Sequence, residues 1–263
     1  NFDFPTQPVD YIIHAAAEAS AALNHDAPLV MFDTIVEGTR RVLEYAQRSQ
    51  TRRLLCVSSG AVYGRQPEDM VSMAETFEGR PDPLVSGNAY GMGKCVAEFM
   101  CATIAAQGRL VIPIARPFAF LGPFLPLDRH FAAGNFLADV LRGGPIRIQG
   151  DGTPYRSYMY PTDLVEWLFT ILLRGASGRA YNVGSDEAVS IGELAAVMAE
   201  TAGGIVVTTA KQPDPSRLPS RYVPNIDRSR QELGLYVRVD LRQAVNRSLI
   251  SYRNQTAKED ICR

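Results

Sequence analysis

Leu54-Leu-Cys-Val-Ser-Ser-Gly-Ala-Val-Tyr-Gly64 opens on four apolar residues and continues into two hydroxyls, two glycines and a tyrosine. The apolar part, Leu54 to Val57, reads as a short strand, and the remainder as the turn that leaves it. Upstream, Asp10-Tyr-Ile-Ile-His-Ala-Ala-Ala17 reads as another buried parallel strand ending in small residues. Between the two, Pro28 suits a first helical turn, and Leu29, Phe32, Ile35, Val36, Val42, Leu43 and Ala46 carry an apolar face towards Ser49. Downstream the cycle repeats, with a helix over about 88–107 and a strand at Leu110-Val-Ile-Pro-Ile-Ala115. Alternating strands and helices imply parallel pairing with helical crossovers, so the expected fold is α/β, a Rossmann-like doubly wound parallel sheet. Ligands then bind beyond the carboxyl ends of the strands, here Ala15 to Ala17, Ser58 to Tyr63 and Arg116 to Phe118.

After Pro123 the rhythm loosens. Short helices are expected near 134–142, 162–174, 190–202 and 240–252, with brief strands such as Ile146 to Ile148, and the Pro-rich stretch Pro213 to Pro224 reads as a loop. The expected division is a dinucleotide-binding domain over 1–123, joined by parts of 150–190, and a smaller C-terminal substrate-binding lobe made mainly of 124–263. The helices at 28–49 and 88–107 carry more than one apolar stripe, which predicts burial on two sides and a homodimer formed through this pair.

With 27 Lys and Arg against 28 Asp and Glu, the chain lacks the one-signed field that draws in nucleic acid or anionic membrane, so a small ligand is the expected partner. No apolar run approaches the ~18 residues of a membrane span. Cys56, Cys95, Cys101 and Cys262 show no C-x-x-C spacing, no metal is called for, and a reducing cytoplasm is expected. The chain begins at Asn1, not at Met, and upstream residues are allowed for.

The chemistry is expected at Tyr90-Gly-Met-Gly-Lys94, because residues four apart share a helix face. An ammonium beside a phenol favours the phenolate. Tyr90, starting from a pKa of about 10, is expected to be lowered towards operating pH by Lys94 and an oxidised nicotinamide ring. Ser59 can hydrogen-bond the substrate oxygen that Tyr90 protonates; capping a turn is the plainer role for either serine of the pair.

These residues resemble the extended short-chain dehydrogenase/reductases, in particular the nucleotide-sugar epimerases and dehydratases, over essentially the whole chain. The resemblance rests on His14 to Ala17, Val36-Glu-Gly-Thr39, Ser58 to Gly64 with Tyr90 and Lys94 after it, Arg116-Pro-Phe with Gly122-Pro123, and Gly150-Asp-Gly-Thr-Pro-Tyr-Arg156. It implies Ser59, Tyr90 and Lys94 as catalytic residues. NAD, with NADP not excluded, would be held by Ala15, Ala16, Ala17, Val57, Ser58 and Pro117, together with Tyr90 and Lys94. A nucleotide-diphosphate sugar would meet Ser59 and Tyr90, with its phosphates on Arg156 and, as a weaker candidate, on Arg221, for which an exposed, solvated Arg is the alternative. His14 is expected as a packed strand residue.

The departures from the family pattern matter too. The glycine-rich loop of the family's N-terminal βαβ unit does not occur in these residues. Where the family's 4,6-dehydratases carry Asp and Glu after the hydroxyl residue, this chain has Gly60 and Ala61, and decarboxylases usually carry a Glu there. Ala119, Leu121 and Ser157 replace the usual Asn, Tyr and Asp. The resemblance therefore implies 4-epimerisation through a transient 4-keto sugar. A 4-ketoreductase is the alternative, and a cofactor-binding protein without turnover the rival of another class.

Overall fold

The computed structural model describes residues 4–17, 20–127 and 131–261. β1 (Tyr11–His14) leads through a short α1 (Ala21–Asp26) into α2 (Pro28–Arg48), which has proline in its first turn. Proline fits there because its missing N–H has no intrahelical partner at that position. β2 (Arg53–Val57) follows, then two single 3-10 turns at Gly60–Tyr63 and Ser86–Asn88, then α3 (Ala89–Ala105) and β3 (Ile114–Pro117). The third strand thus begins later than expected. Leu110 to Pro113 pack beside β2 with only an isolated bridge at Val111, and pairing with the next strand starts at Ile114.

Beyond it come α4 (Ala132–Leu141), β4 (Ile146–Ile148), β5 (Tyr155–Arg156), α5 (Pro161–Arg174), β6 (Ala180–Val183), β7 (Val189–Ser190), α6 (Ile191–Thr201), β8 (Val207–Thr209), β9 (Arg221–Tyr222), α7 (Asp227–Leu233) and α8 (Leu241–Ile261). The stretch 213–224, expected as a loop, contains β9, which pairs in parallel with β5. Two residues are too short to leave a period in the sequence.

The main sheet runs β1-β2-β3-β6, all parallel. Successive strand side chains point to opposite faces, and β2 shows what each face meets. Leu54 and Cys56 pack with Leu43, Ala46, Cys101 and Ala105 of α2 and α3, whereas Leu55 packs with Trp167, Ile171 and Leu172 of α5. Helices therefore cover both faces, and the fold is the Rossmann-like α/β sheet. Among the described residues β1 has one neighbour, β2, and its Tyr11 and Ile13 side chains are 46% and 38% exposed. A separate apolar cluster joins α4, α6 and α8 to β4, through Phe136, Leu137, Ile146, Leu194, Met198 and Val245.

Candidate active site

Tyr90 owes its position to α1. The Asn24 side chain accepts from the Tyr90 backbone N–H at 2.9 Å and donates to the Gly87 carbonyl at 2.5 Å, doing for the α3 N-terminus what its own Asn88 does not. One turn on, Lys94 is 5% exposed, and its ammonium donates to the Val57 carbonyl at 2.8 Å, which ties α3 to the end of β2. The intervening Gly91 permits this close docking: a Cβ there would stand 2.8 Å from Pro81 and 2.9 Å from the Ala61 carbonyl.

Ser59 takes extended backbone angles, and its Oγ accepts from the Ala61 N–H at 3.1 Å. It caps the 3-10 turn, and its hydroxyl also favours the charged form of the Tyr90 phenol, so the capping role and the chemical role coexist. Ser59, Tyr90 and Arg156 line one cavity of about 630 Å³, together with Tyr158, Tyr222 and Phe118. The Arg156 guanidinium also donates to the Tyr155 carbonyl at 2.7 Å.

In the protein alone the Tyr90 shift runs opposite to the lowering expected with an oxidised nicotinamide beside it. Burial raises its pKa, and Ser59 is what opposes the rise; the Lys94 ammonium stands 5.8 Å from the ring centroid. Lys94 itself is lowered by burial, with Cys56, Glu98 and Cys101 pulling it back up. His14 is a packed strand residue, as expected. Thr39 donates its own proton to the Ile35 carbonyl, so the 3.0 Å contact requires His14 Nε2 to be the donor, and burial followed by the Lys94 charge lowers His14 to about 4.

The remaining candidate residues have varied surroundings. The Ser58 hydroxyl is buried and donates to Glu98 Oε1 at 2.5 Å. The Arg221 guanidinium lies over the Tyr155 ring, 4.2 Å from its centroid, and is not among the cavity residues. Ala15 and Ala16 are exposed at the end of β1 and Ala17 is half-buried, as are Val57 and Pro117 at their strand ends. Cys56, Cys95 and Cys101 are free thiols, and Cys262 lies outside the described residues.

Two side chains were missed by sequence reasoning. Glu98, one turn after Lys94 on α3, forks onto Arg116 with 2.9 and 2.6 Å hydrogen bonds; its i,i+4 spacing from Lys94 was the available signal. Tyr222 reaches the cavity from β9, and nothing in the local sequence marks it.

A parallel sheet with helices on both faces, and a Tyr, Lys and Ser near its carboxyl edge, define the dinucleotide-binding class of α/β fold. The comparisons agree: the model of the NAD dependent epimerase/dehydratase family matches residues 3–184, and the chain belongs to that family. It is 31% identical to UDP-glucuronic acid decarboxylase 1 of Arabidopsis thaliana across 96% of this chain and 57% of that protein. The chain spans little more than half the length of the first such curated relatives. Among solved structures, Thermus thermophilus UDP-glucose 4-epimerase in complex with NAD superimposes with a TM-score of 0.78 at 25% identity, covering 94% of this chain and 78% of that one. MoeE5 in complex with UDP-glucuronic acid and NAD gives 0.77 at 25% identity, over 94% and 80%.

Proposed function

We propose that the protein is a nucleotide-sugar 4-epimerase. The observation that carries this reading is the make-up of the cavity: Ser59, Tyr90, Tyr158, Tyr222 and Arg156 supply its ionisable and hydroxyl groups along with Ser20, and no described lining residue is acidic. Dehydration across C5 and C6 needs a second acid and base in the cavity; oxidation and reduction at C4 need one phenol, one hydroxyl and one ammonium.

The residues fit a nicotinamide nucleotide. Ala15 to Ala17 leave backbone bare of anything larger than a methyl at the end of β1, and Lys94 presents a buried ammonium with one proton held by Val57. When bound, that cofactor accepts and returns the hydride. Tyr90 takes the C4 hydroxyl proton and gives it back, Ser59 donates to the same oxygen, Lys94 stabilises the phenolate, and Arg156 meets the diphosphate. Epimerisation follows if the keto sugar turns over before the hydride returns.

A second reading, decarboxylation of a nucleotide-linked glucuronic acid, is favoured by the curated relatives. Once C4 is a ketone, a carboxylate on C5 can leave as carbon dioxide with its electrons settling on the carbonyl. A panel of UDP- and dTDP-sugars given to the full-length protein separates the readings by chromatography. Epimerisation is expected without added reductant and without carbon dioxide release. Carbon dioxide from UDP-glucuronic acid would favour the second reading, and turnover of 4-keto sugars only with added NADPH would make the protein a reductase.

Homodimerisation through α2 and α3 belongs to the same reading. Leu29, Val30 and Phe99 on these helices are 75%, 55% and 70% exposed, apolar side chains that a second copy of the helix pair would cover. Sedimentation should give a dimer that Phe99→Asp weakens; a monomer at all concentrations would rule the dimer out.

A further inference from the structure

Beyond β5 the side chains alternate along an extended stretch. Arg156 and Tyr158 line the cavity, whereas Ser157 and Met159 are wholly buried. The backbone here is pinned at both ends: the Tyr155 N–H donates to the Ser220 carbonyl at 2.8 Å and the Met159 N–H to the Ala119 carbonyl at 3.1 Å. The Tyr158 ring belongs to the apolar cluster of α4, α6 and α8, and the residue is only 8% exposed. Its hydroxyl makes no hydrogen bond to any described residue. The Ser157 hydroxyl has no partner either, but it is sealed in the core. That of Tyr158 is on a side chain that reaches the cavity wall. A buried donor without an acceptor costs free energy, and here only a ligand can supply the acceptor.

We propose that Tyr158 is a substrate-binding residue, a neutral hydrogen-bond donor that works beside Arg156 on the diphosphate of a nucleotide sugar. Residues two apart on an extended chain project from the same side, roughly 7 Å from one another at the backbone, so both can meet one ligand. Arg156 is the only charged residue among the described residues of the cavity wall, which makes it the place where an anion sits. A diphosphate has more oxygens than one guanidinium fork can satisfy, and a phenol alongside takes one of the remainder. The phenol is suited to that task. Burial raises its pKa to about 12 against the opposing charge of Arg156, so it keeps its proton and brings no negative charge towards the phosphates. The inference rests on the proposed function only in seating the diphosphate on Arg156.

Tyr158→Phe tests it, because the ring and its packing stay while the O–H goes. In calorimetry on the full-length protein, affinity for UDP and dTDP should fall about tenfold, the low end of what a hydrogen bond to a charged group contributes. KM for the nucleotide sugar should rise by a similar factor with kcat nearly unchanged, the mark of binding lost equally from ground state and transition state. Uridine and thymidine carry no phosphate and should bind both proteins alike. Without ligand, the melting temperature should match or exceed that of the wild type, since the missing hydroxyl has no partner in the protein; a lower one would make the hydroxyl a structural donor and overturn the inference. Unchanged affinity for the diphosphates would also overturn it, as would a loss seen only with the intact nucleotide sugar, which would put the hydroxyl on the sugar. Weakened diphosphate binding in a protein that turns over no nucleotide sugar would sustain it and discard the functional reading instead.

Discussion

Tyr90→Phe is expected to lower kcat by about 10³-fold, within the range that a positioned acid/base contributes, while leaving cofactor affinity and thermal stability close to wild type. The ring of Tyr90 packs beside Met31, Ile35 and Ala97, and Phe keeps that contact. What disappears is the phenol oxygen, whose charged form Ser59 favours. Because burial holds the Tyr90 pKa above its ordinary value in the protein alone, the phenolate must be favoured mainly by Ser59, by Lys94 and by the positive charge of an oxidised nicotinamide. The sign follows: kcat/KM in the oxidative direction should rise with pH as Tyr90 deprotonates, and residual activity of the Phe variant should lack that limb. Stopped-flow measurement of nicotinamide reduction checks both. An undiminished rate in the variant would remove Tyr90 from the chemistry, whatever the fate of the fold.

The sheet was legible because its signal is redundant. β2 is apolar at every position from Leu54 to Val57 since both faces are covered, and α2 and α3 are long enough for their periodicity to show. The strand after α3 was placed a few residues early because Leu110, Val111 and Ile112 are as apolar as the strand proper; they pack in the same layer, and only the hydrogen-bond pairing with β6 fixes where the strand lies. β1 reads as a buried strand from its Tyr-Ile-Ile run, and among the described residues it pairs with β2 alone.

In the site, the readable part was the part carried on one helix or one strand end. Tyr90 and Lys94 share a helix face, and Ser59 closes the next strand over, so spacing and topology together bring them near one another. The environment was less readable. A spacing of four says that an ammonium and a phenol share a face; it does not say that desolvation outweighs their attraction, and here the Tyr90 pKa goes up. Ser58 and Ser59 look equivalent in sequence, but strand alternation turns one towards the cavity and the other into the layer under α3, where Glu98 takes it. Tyr222 was out of reach altogether, because its place in the cavity depends on the pairing of two two-residue strands 66 positions apart.

Glu98→Ala should cost about 3–5 kcal/mol of stability, since it strands a buried guanidinium. Arg116 and Glu98 are only 16% and 11% exposed at their side chains. Burial alone would depress the Arg116 pKa; the hydrogen bonds and charge of Glu98 more than reverse this and raise it. The network continues: Arg116 donates to the Tyr63 hydroxyl at 2.9 Å, Tyr63 donates to Asn182 Oδ1 at 2.8 Å, and Asn182 donates to the Met73 and Asn225 carbonyls at 2.8 and 2.9 Å. One carboxylate thus fastens α3, β2, β3 and β6 together. At roughly 2–4 °C per kcal/mol for a chain of this size, the melting temperature should drop by on the order of 10 °C, measurable by calorimetry. Arg116→Met should be similarly damaging, because it leaves the carboxylate buried with Ser58 as its remaining neutral donor. The double variant Glu98→Met with Arg116→Met should lose clearly less than the sum of the single losses, as a buried pair exchanged for apolar groups often does. Full additivity would mean that the pair is not coupled. The same carboxylate reaches the chemistry through Lys94, whose lowered pKa it partly restores. Without it Lys94 loses its proton at a lower pH, so in a milder variant that still folds, Glu98→Gln, the alkaline limb of the pH–rate profile should move down. The other groups acting on Lys94, Cys56 and Cys101, and His14, which feels its charge, stay in place. A stable Glu98→Gln protein with an unmoved alkaline limb would confine Glu98 to holding the fold.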